Sequence, residues 1–209
     1  MTVPFQLHLA TAEDVGEITR LIDETGTWLR EKIGTDQWNR PWPNEAARDA
    51  RVRDGVDRKR TWLLRDGRAF VASVTVEVEG KPGLWTEAEL ETPAVYLHRL
   101  VVHRDYRGMR IGEFLIGRGA HLGLSEKPLA EELRIDTWSK NRRLHEYYIG
   151  QGFSKVGDAR VTEDRTPSGQ LLSKPVDAVP SREELDRILP VEEDCAPFHA
   201  EQAEPAGHL

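Results

Sequence analysis

Residues 95–112 read VYLHRLVVHRDYRGMRIG, and this stretch joins a strand to a glycine loop. Residues 95–102 carry apolar or β-branched side chains on both faces, which is typical of a strand in the middle of a sheet. Arg107 to Gly112 then form a loop with two glycines that leads directly into a helical pattern. Glycine lets backbone N–H groups approach an anion, and the start of a helix favours negative charge. The stretch predicts a site for a pyrophosphate, although an exposed glycine turn would have the same pattern.

Three arginines, Arg104, Arg107 and Arg110, surround this loop in a region whose charge is otherwise balanced. The net charge of −7 comes entirely from residues 176–209, which hold nine acidic residues and two arginines. Residues 1–175 hold 27 basic and 27 acidic residues, so they have no overall field that would attract nucleic acid. The local arginine cluster instead favours a small, multiply charged ligand.

Hydrophobic periodicity predicts strands and helices on both sides of this stretch. A capping-box pattern at Thr11 and Asp14 predicts a helix start, and Asp66-Gly67 predicts a hairpin turn. Ser139 is the expected N-cap of a helix over residues 141–149. The other predicted elements are a strand over 5–9, a loop or broken helix over 28–43, an exposed helix over 45–60, strands over 61–64 and 68–78 (the latter half-buried), a helix over 111–125, and strands over 133–138, 153–156 and 171–174.

This order of elements predicts an α+β fold, a mixed sheet with helices on its faces. The apolar pattern weakens after Pro175, where prolines and acids recur. We therefore expect one domain over residues 1–175 and an acidic, proline-rich tail over 176–209. The tail is expected to dock either on its own domain or on a partner.

Several classes of protein and site are disfavoured by composition. No apolar run is long enough for a membrane span, and the first residues lack the pattern of a signal peptide, so we expect a cytoplasmic protein with no membrane partner. The single cysteine, Cys195, excludes an internal disulfide. The seven histidines lack metal-ligand spacing, so we expect no metal.

A second motif, NRRLHEYYIGQGF, begins at Asn141 and ends with Gly152-Phe153. Together with VVHRDYRGMRIGEFLI (residues 101–116), it resembles the acetyl-CoA-binding motif and following helix of the GCN5-related N-acetyltransferases (GNAT). The motif-level match covers residues 95–156. One position departs from the family pattern, because Arg110 stands where a second glycine or alanine is usual.

The resemblance implies a mixed, mostly antiparallel sheet that splays between the strands ending at Val102 and Trp138. It also implies acetyl-CoA as co-substrate, with the pantetheine arm in the gap and the pyrophosphate on the glycine loop. The implied coenzyme-binding residues are Leu100, Val101, Val102, Arg107, Gly108, Met109, Arg110, Ile111, Gly112 and Asn141. Asn141 would equally serve as a helix cap.

The resemblance also assigns chemistry to single side chains. Tyr148 occupies the position whose hydroxyl protonates the leaving thiolate, and its neighbour Tyr147 is expected in the core. His98 stands where many relatives carry a carboxylate base on the central strand. Histidine titrates near neutral pH and relays protons, although a strand histidine is often structural. Alternative bases are Glu87, Glu89 and Asp136.

The resemblance places the acceptor pocket around a group of aromatic and polar residues: Trp28, Gln37, Trp38, Trp42, Trp85 and Trp138. The leading expectation is an acetyltransferase that acts on the primary amine of a small molecule. A homodimer is the assembly considered, and the sequence leaves the oligomeric state open. A protein or peptide N-acetyltransferase, and a non-catalytic coenzyme A sensor, stay open as alternatives. An open acidic groove would favour the protein acceptor, and an aromatic-lined pocket the small molecule.

Overall fold

Eight strands form one sheet in the computed structural model, which describes residues 5–38, 43–162, 165 and 167–193. The strands are β1 (Phe5–Leu9), β2 (Thr61–Asp66), β3 (Ala69–Glu77), β4 (Ala94–Val102), β5 (Glu132–Thr137), β6 (Ser154–Lys155), β7 (Gln170–Pro175) and β8 (Val191–Glu193). The helices are α1 (Val15–Trp28), α2 (Glu45–Asp57), α3 (Glu87–Glu91), α4 (Ile111–Glu126), α5 (Arg142–Gly150) and α6 (Arg182–Ile188).

The strands lie in the order β6-β7-β5-β4-β3-β2-β1-β8. Only the β4–β5 and β1–β8 pairs are parallel. Helices α1 and α2 pack on one face, where Leu63 and Val101 lie, and α4 packs on the other against β3 and β4. The mixed, mostly antiparallel sheet and the central place of β4 are confirmed.

The two strands β4 and β5 separate in the middle of the sheet. Their parallel pairing runs from Ala94–Glu132 to Leu97–Ile135 and then stops, although both strands continue. From His98 onward the β5-facing edge of β4 has no strand partner among the described residues. This is the predicted splay, and it opens a gap inside an otherwise continuous sheet.

A bulge in β4 accompanies the separation. Ser73 pairs with Val101 and Thr75 with His98, so two residues of β4 face a single residue of β3. Arg99, the first of the two, has a φ of 49°, in the left-handed region. A bulge bends its strand and redirects a side chain, and here it does so beside the gap.

Two predictions about exposure are wrong. Strand β3 is buried on both faces rather than half-buried, because α2 covers the side that carries Ser73, Thr75 and Glu77. Thr75 shares a hydrogen bond of 2.9 Å with Thr61, which satisfies both buried hydroxyls. Helix α2, expected to be exposed, buries Val52 and Val56 against α1 and β2. The many charged residues of α2 make this short apolar stripe difficult to recognise in the sequence.

The first part of the acidic tail docks on the domain. Ser181 and Glu184 form a capping box that starts α6, and Leu185 is fully buried against Gly117 of α4. Strand β8 then pairs with β1, and its Glu193 forms an ion pair with Arg118 of α4. The predicted boundary after Pro175 thus lies within the packed structure. Cys195 and the rest of the tail fall outside the described residues.

The described helices include none that is both long and apolar enough to cross a membrane.

We predict that Leu185→Ala lowers the free energy of unfolding by about 3 kcal/mol, because it leaves a cavity between α6 and α4. Leu129→Ala is the matched control, since Leu129 is 82% exposed and its loss should change stability by less than about 0.5 kcal/mol. Urea unfolding of both variants measures the difference. Equal, small effects would mean that α6 is not packed on the domain.

Candidate active site

A cavity of about 560 Å³ lies where β4 and β5 separate. Its wall includes residues 97–100 of β4 and residues 135–138 at the end of β5. Tyr148 of α5 and the segment Gln37-Trp38 also line it, as do several residues of α2. Its size is typical of a small-molecule site. The gap in the sheet therefore opens into a cavity large enough for a small molecule.

His98 and Asp136 meet across the gap. Each is the first residue after the last β4–β5 pair, and His98 Nδ1 lies 2.8 Å from Asp136 Oδ1. With Nδ1 engaged by the carboxylate, Nε2 is the ring nitrogen that is left to exchange a proton. The two residues considered separately as bases thus form one histidine–carboxylate pair in the cavity wall.

Tyr148 lines the same cavity. Its side chain packs against Phe153, with ring centroids 5.6 Å apart, and only 7% of the residue is exposed. No described residue hydrogen-bonds to its hydroxyl. Burial raises the pKa of Tyr148, and the charges of Tyr147 and Asp136 raise it further, so the hydroxyl stays protonated at neutral pH. It is placed as a hydrogen-bond donor.

The expectation that Tyr147 is the core residue is wrong, because Tyr147 is 39% exposed. It points toward the start of α4 instead. A Cβ added to Gly112 would lie 2.3 Å from the Tyr147 hydroxyl, so only glycine leaves room for that ring. Tyr147 and Tyr148 are adjacent on one helix, so the sequence alone does not indicate which of them is buried.

The glycine loop bends through two left-handed residues, Gly108 with a φ of 83° and Arg110 with a φ of 58°. Helix α4 follows, and its first N–H groups, beginning at Ile111, have no acceptors within the helix. The Arg110 side chain donates two hydrogen bonds to Glu113, of 2.8 and 2.7 Å. Its guanidinium is held by the first turn of α4, and its backbone takes the conformation that a glycine would favour.

Asn141 is the N-cap of α5, and the expected cap Ser139 is not. Asn141 Oδ1 accepts from the Leu144 N–H at 3.1 Å, while its Nδ2 donates to Gln37 Oε1 at 2.6 Å. Ser139 is held elsewhere, because its hydroxyl donates to the Pro167 carbonyl at 3.0 Å. The Asn141–Gln37 bond ties the segment after α1 to α5.

Three of the residues expected around the acceptor line the cavity. Gln37 and Trp38 line one side, and Trp138 lines another, with its Nε1 donating to Asp36 Oδ1 at 2.7 Å. Trp28 lies elsewhere, stacked under the Arg104 guanidinium at 3.6 Å.

Trp85 does not line the cavity either, because it is buried against Tyr96. Trp42 falls outside the described residues.

Neither glutamate considered as a base lines the cavity. Glu89 belongs to the capping box of α3 and accepts hydrogen bonds from Arg160, which lowers the pKa of Glu89 to about 2. Glu87 is exposed in the first turn of the same helix. Asp136 is the only one of the three that reaches the gap.

The profile of the acetyltransferase (GNAT) family matches residues 26–153, more than half of the chain. The chain belongs to this family.

Individual GNAT proteins resemble the chain at low sequence identity. A Bacillus subtilis (strain 168) protein named as an uncharacterized N-acetyltransferase, YesJ, is 26% identical over 151 residues, or 71% of this chain and 81% of YesJ. The PaiA N-acetyltransferase of Thermoplasma acidophilum, solved with coenzyme A, has a TM-score of 0.60 at 14% identity, covering 83% of this chain and 99% of its own. An aminoglycoside acetyltransferase, also solved with coenzyme A, has a TM-score of 0.56 at 17% identity, covering 83% and 96%.

The chain is thus an N-acetyltransferase of the GNAT family. Acetyl-CoA stays our prediction for its co-substrate. The structure offers features that fit such a coenzyme: the glycine loop at the start of α4, and the exposed Arg107, whose guanidinium has no partner among the described residues. The edge of β4 at Leu100, Val101 and Val102 faces the gap without a strand partner. These residues, with Met109 and Asn141, stay our prediction for the coenzyme-binding set.

Sequence reasoning missed the contact between His98 and Asp136 and the role of Arg99. The first depends on the register of two strands that are distant in sequence, for which the sequence carries no signal. The second depends on a bulge, and an arginine rather than a glycine occupies its left-handed position.

We predict that Gly108→Glu weakens coenzyme A binding by at least about tenfold, because it places a negative charge beside the pyrophosphate. Gly83→Glu is the matched control. Gly83 has a φ of 80°, and a Cβ added at either glycine would meet no atom within 4 Å. Isothermal titration with coenzyme A compares the two variants. Equal affinities would place the pyrophosphate away from this loop.

Proposed function

We propose that this enzyme transfers an acetyl group from acetyl-CoA to the primary amine of a small molecule. Tyr148 acts as general acid, and His98, held by Asp136, acts as general base. The observation that carries the proposal is that Tyr148 and the His98–Asp136 pair line the same cavity, in the gap between β4 and β5. Acetyl-CoA, when bound, supplies an activated acetyl thioester.

The residues of the chain then have two proton-handling tasks. His98 Nε2 accepts a proton from the amine, and Asp136 stabilises the imidazolium that results. Tyr148 stays protonated because burial raises its pKa, so its hydroxyl donates to the sulfur as negative charge develops there. An acceptor that arrives as an ammonium loses two protons, the first to His98 before attack and the second as the C–N bond forms and the C–S bond breaks. One of these two balances the proton that Tyr148 gives to sulfur, and the other leaves to solvent through His98.

The charge of the cavity wall supports a small acceptor over a protein lysine or N-terminus. Five acidic and five basic residues line the cavity, together with Trp38, Trp138 and Tyr148. The acidic side chains have partners: Glu77 accepts two hydrogen bonds from Arg58, and Asp23 pairs with Arg48. An acidic groove for a cationic peptide would need unpaired carboxylates. The wall is balanced in charge and partly aromatic.

We predict that Tyr148→Phe lowers kcat by about 100-fold with little change in coenzyme A affinity, since the hydroxyl acts on the developing thiolate. Tyr106→Phe is the control, because its hydroxyl donates to Asp66 and does not line the cavity. Release of free thiol from acetyl-CoA over a panel of amines measures kcat. Unchanged turnover in Tyr148→Phe would remove this residue from the acid role. Coenzyme binding by the wild type with no thiol release from any amine would favour a sensor.

We also predict that His98→Ala lowers kcat/KM by about 100-fold at pH 7 and by much less at pH 10. The amine loses its proton to solvent at high pH, so the need for a base disappears. Asp136→Asn should show a smaller loss with the same pH trend, because the ring keeps its place without its charged partner. The measurement is the pH profile of kcat/KM from pH 6 to 10. A loss that is constant over this range would make His98 a structural residue.

A further inference from the structure

Arg99 is a charged residue of the cavity, and it has no role in the acetyl transfer described above. It lines the cavity beside His98, at the left-handed position of the β4 bulge. A non-glycine residue is strained in that conformation. Adjacent residues of a regular strand point to opposite faces, whereas the bulge lets His98 and Arg99 line one cavity. The strained backbone thus brings a guanidinium to the acceptor side of the gap.

The guanidinium of Arg99 makes no hydrogen bond or ion pair with a described residue. The carboxylates of Glu77 and Asp136 act on its charge, and both already have partners. Glu77 accepts two hydrogen bonds from Arg58, and Asp136 pairs with His98. The N–H donors of Arg99 are therefore not committed to another described side chain.

The surroundings of Arg99 favour an anion. Burial lowers the pKa of Arg99 more than the nearby charges of Glu77 and Asp136 raise it, and two further arginines, Arg51 and Arg58, lie close by. The guanidinium stays protonated at neutral pH. A positive charge that is withdrawn from water and incompletely compensated gains free energy from an anionic partner.

Helix α2 is shaped to admit this guanidinium. A Cβ added to Gly55 would lie 3.0 Å from Arg99 Nη2 and 2.8 Å from Thr61 Oγ1. Glycine within a helix is destabilising relative to alanine. Gly55 therefore lowers the stability of α2 at the position where a larger residue would meet the Arg99 guanidinium.

We propose that the acceptor amine also carries an oxyanion, a carboxylate or a phosphate group, which Arg99 binds in the cavity. A guanidinium binds either group through two parallel hydrogen bonds. The amine then lies near His98 Nε2, because His98 and Arg99 are consecutive residues. This inference rests on the proposed function, and it names the class of acceptor for that same site.

The test compares amines that differ only by the anionic group. The pairs are phenylalanine with phenethylamine, 4-aminobutyrate with propylamine, and 2-aminoethyl phosphate with ethanolamine. We expect the wild type to favour the anionic member of at least one pair in kcat/KM by roughly 10- to 100-fold, the value of one charge-assisted hydrogen-bonded pair. The first two pairs report on a carboxylate, and the third on a phosphate.

Arg99→Met should abolish this preference, mainly through KM, and Arg99→Lys should restore part of it because the charge is kept. Arg53→Met is the matched control, since Arg53 is an exposed residue of α2 that does not line the cavity. It should keep the wild-type preference. A purely structural role for Arg99 would lower kcat/KM for both members of each pair and leave their ratio unchanged, which would overturn the proposal.

Binding is measured beside turnover, as the rise in melting temperature that each amine causes in the presence of coenzyme A. Anionic amines that stabilise the wild type but not Arg99→Met, without being acetylated, would support the anion site and overturn the proposed amine acetylation. Equal stabilisation by both members of every pair, with equal turnover or none, would overturn the anion site. Circular dichroism and coenzyme A affinity show that each variant is folded.

Discussion

The separation of β4 from β5 is the constraint on which the site depends. Four residue pairs hold the strands together, and beyond Leu97–Ile135 each strand continues without the other. The sheet can open here because each strand keeps a partner on its other side: β3 for β4, and β7 for β5. The gap therefore exposes one strand edge without disrupting the core. That edge, the cavity and the His98–Asp136 pair all follow from this one break in pairing.

The charged residues that line the cavity differ in whether another side chain pairs with them. Most cavity carboxylates are paired, as Glu77 with Arg58 and Asp136 with His98. Arg99 is the contrasting case, since the bulge places it in the cavity wall without a hydrogen-bonding partner among the described residues. Positive φ values at Arg99 and Arg110 occur beside the gap and in the glycine loop. These two arginines lie where we propose that a ligand contacts the protein, and backbone strain is often found at such sites.

Much of this arrangement could be predicted from the sequence, because its signals are local. The strand, glycine loop and helix over residues 95–126 are encoded by adjacent residues, and so is the capping box at Thr11. Features that depend on tertiary contacts could not be predicted. Neither the burial of β3 under α2 nor the packing of α6 against Gly117 is visible in composition.

The residues of the site were likewise predictable only where a local sequence motif contains them. Tyr148 and the loop follow from a motif, whereas the meeting of His98 with Asp136 depends on strand register. The bulge at Arg99 has no sequence signal, since most bulges with a left-handed first residue carry glycine there.

The central claim is that one gap holds the coenzyme arm and both proton-handling groups. A crystal structure with coenzyme A bound tests this most directly. The account predicts that the pantetheine arm lies between β4 and β5, with the sulfur within hydrogen-bonding reach of the Tyr148 hydroxyl and His98 Nε2 facing the acceptor side. A sulfur placed away from Tyr148, or an arm that lies outside the β4–β5 gap, would contradict the account.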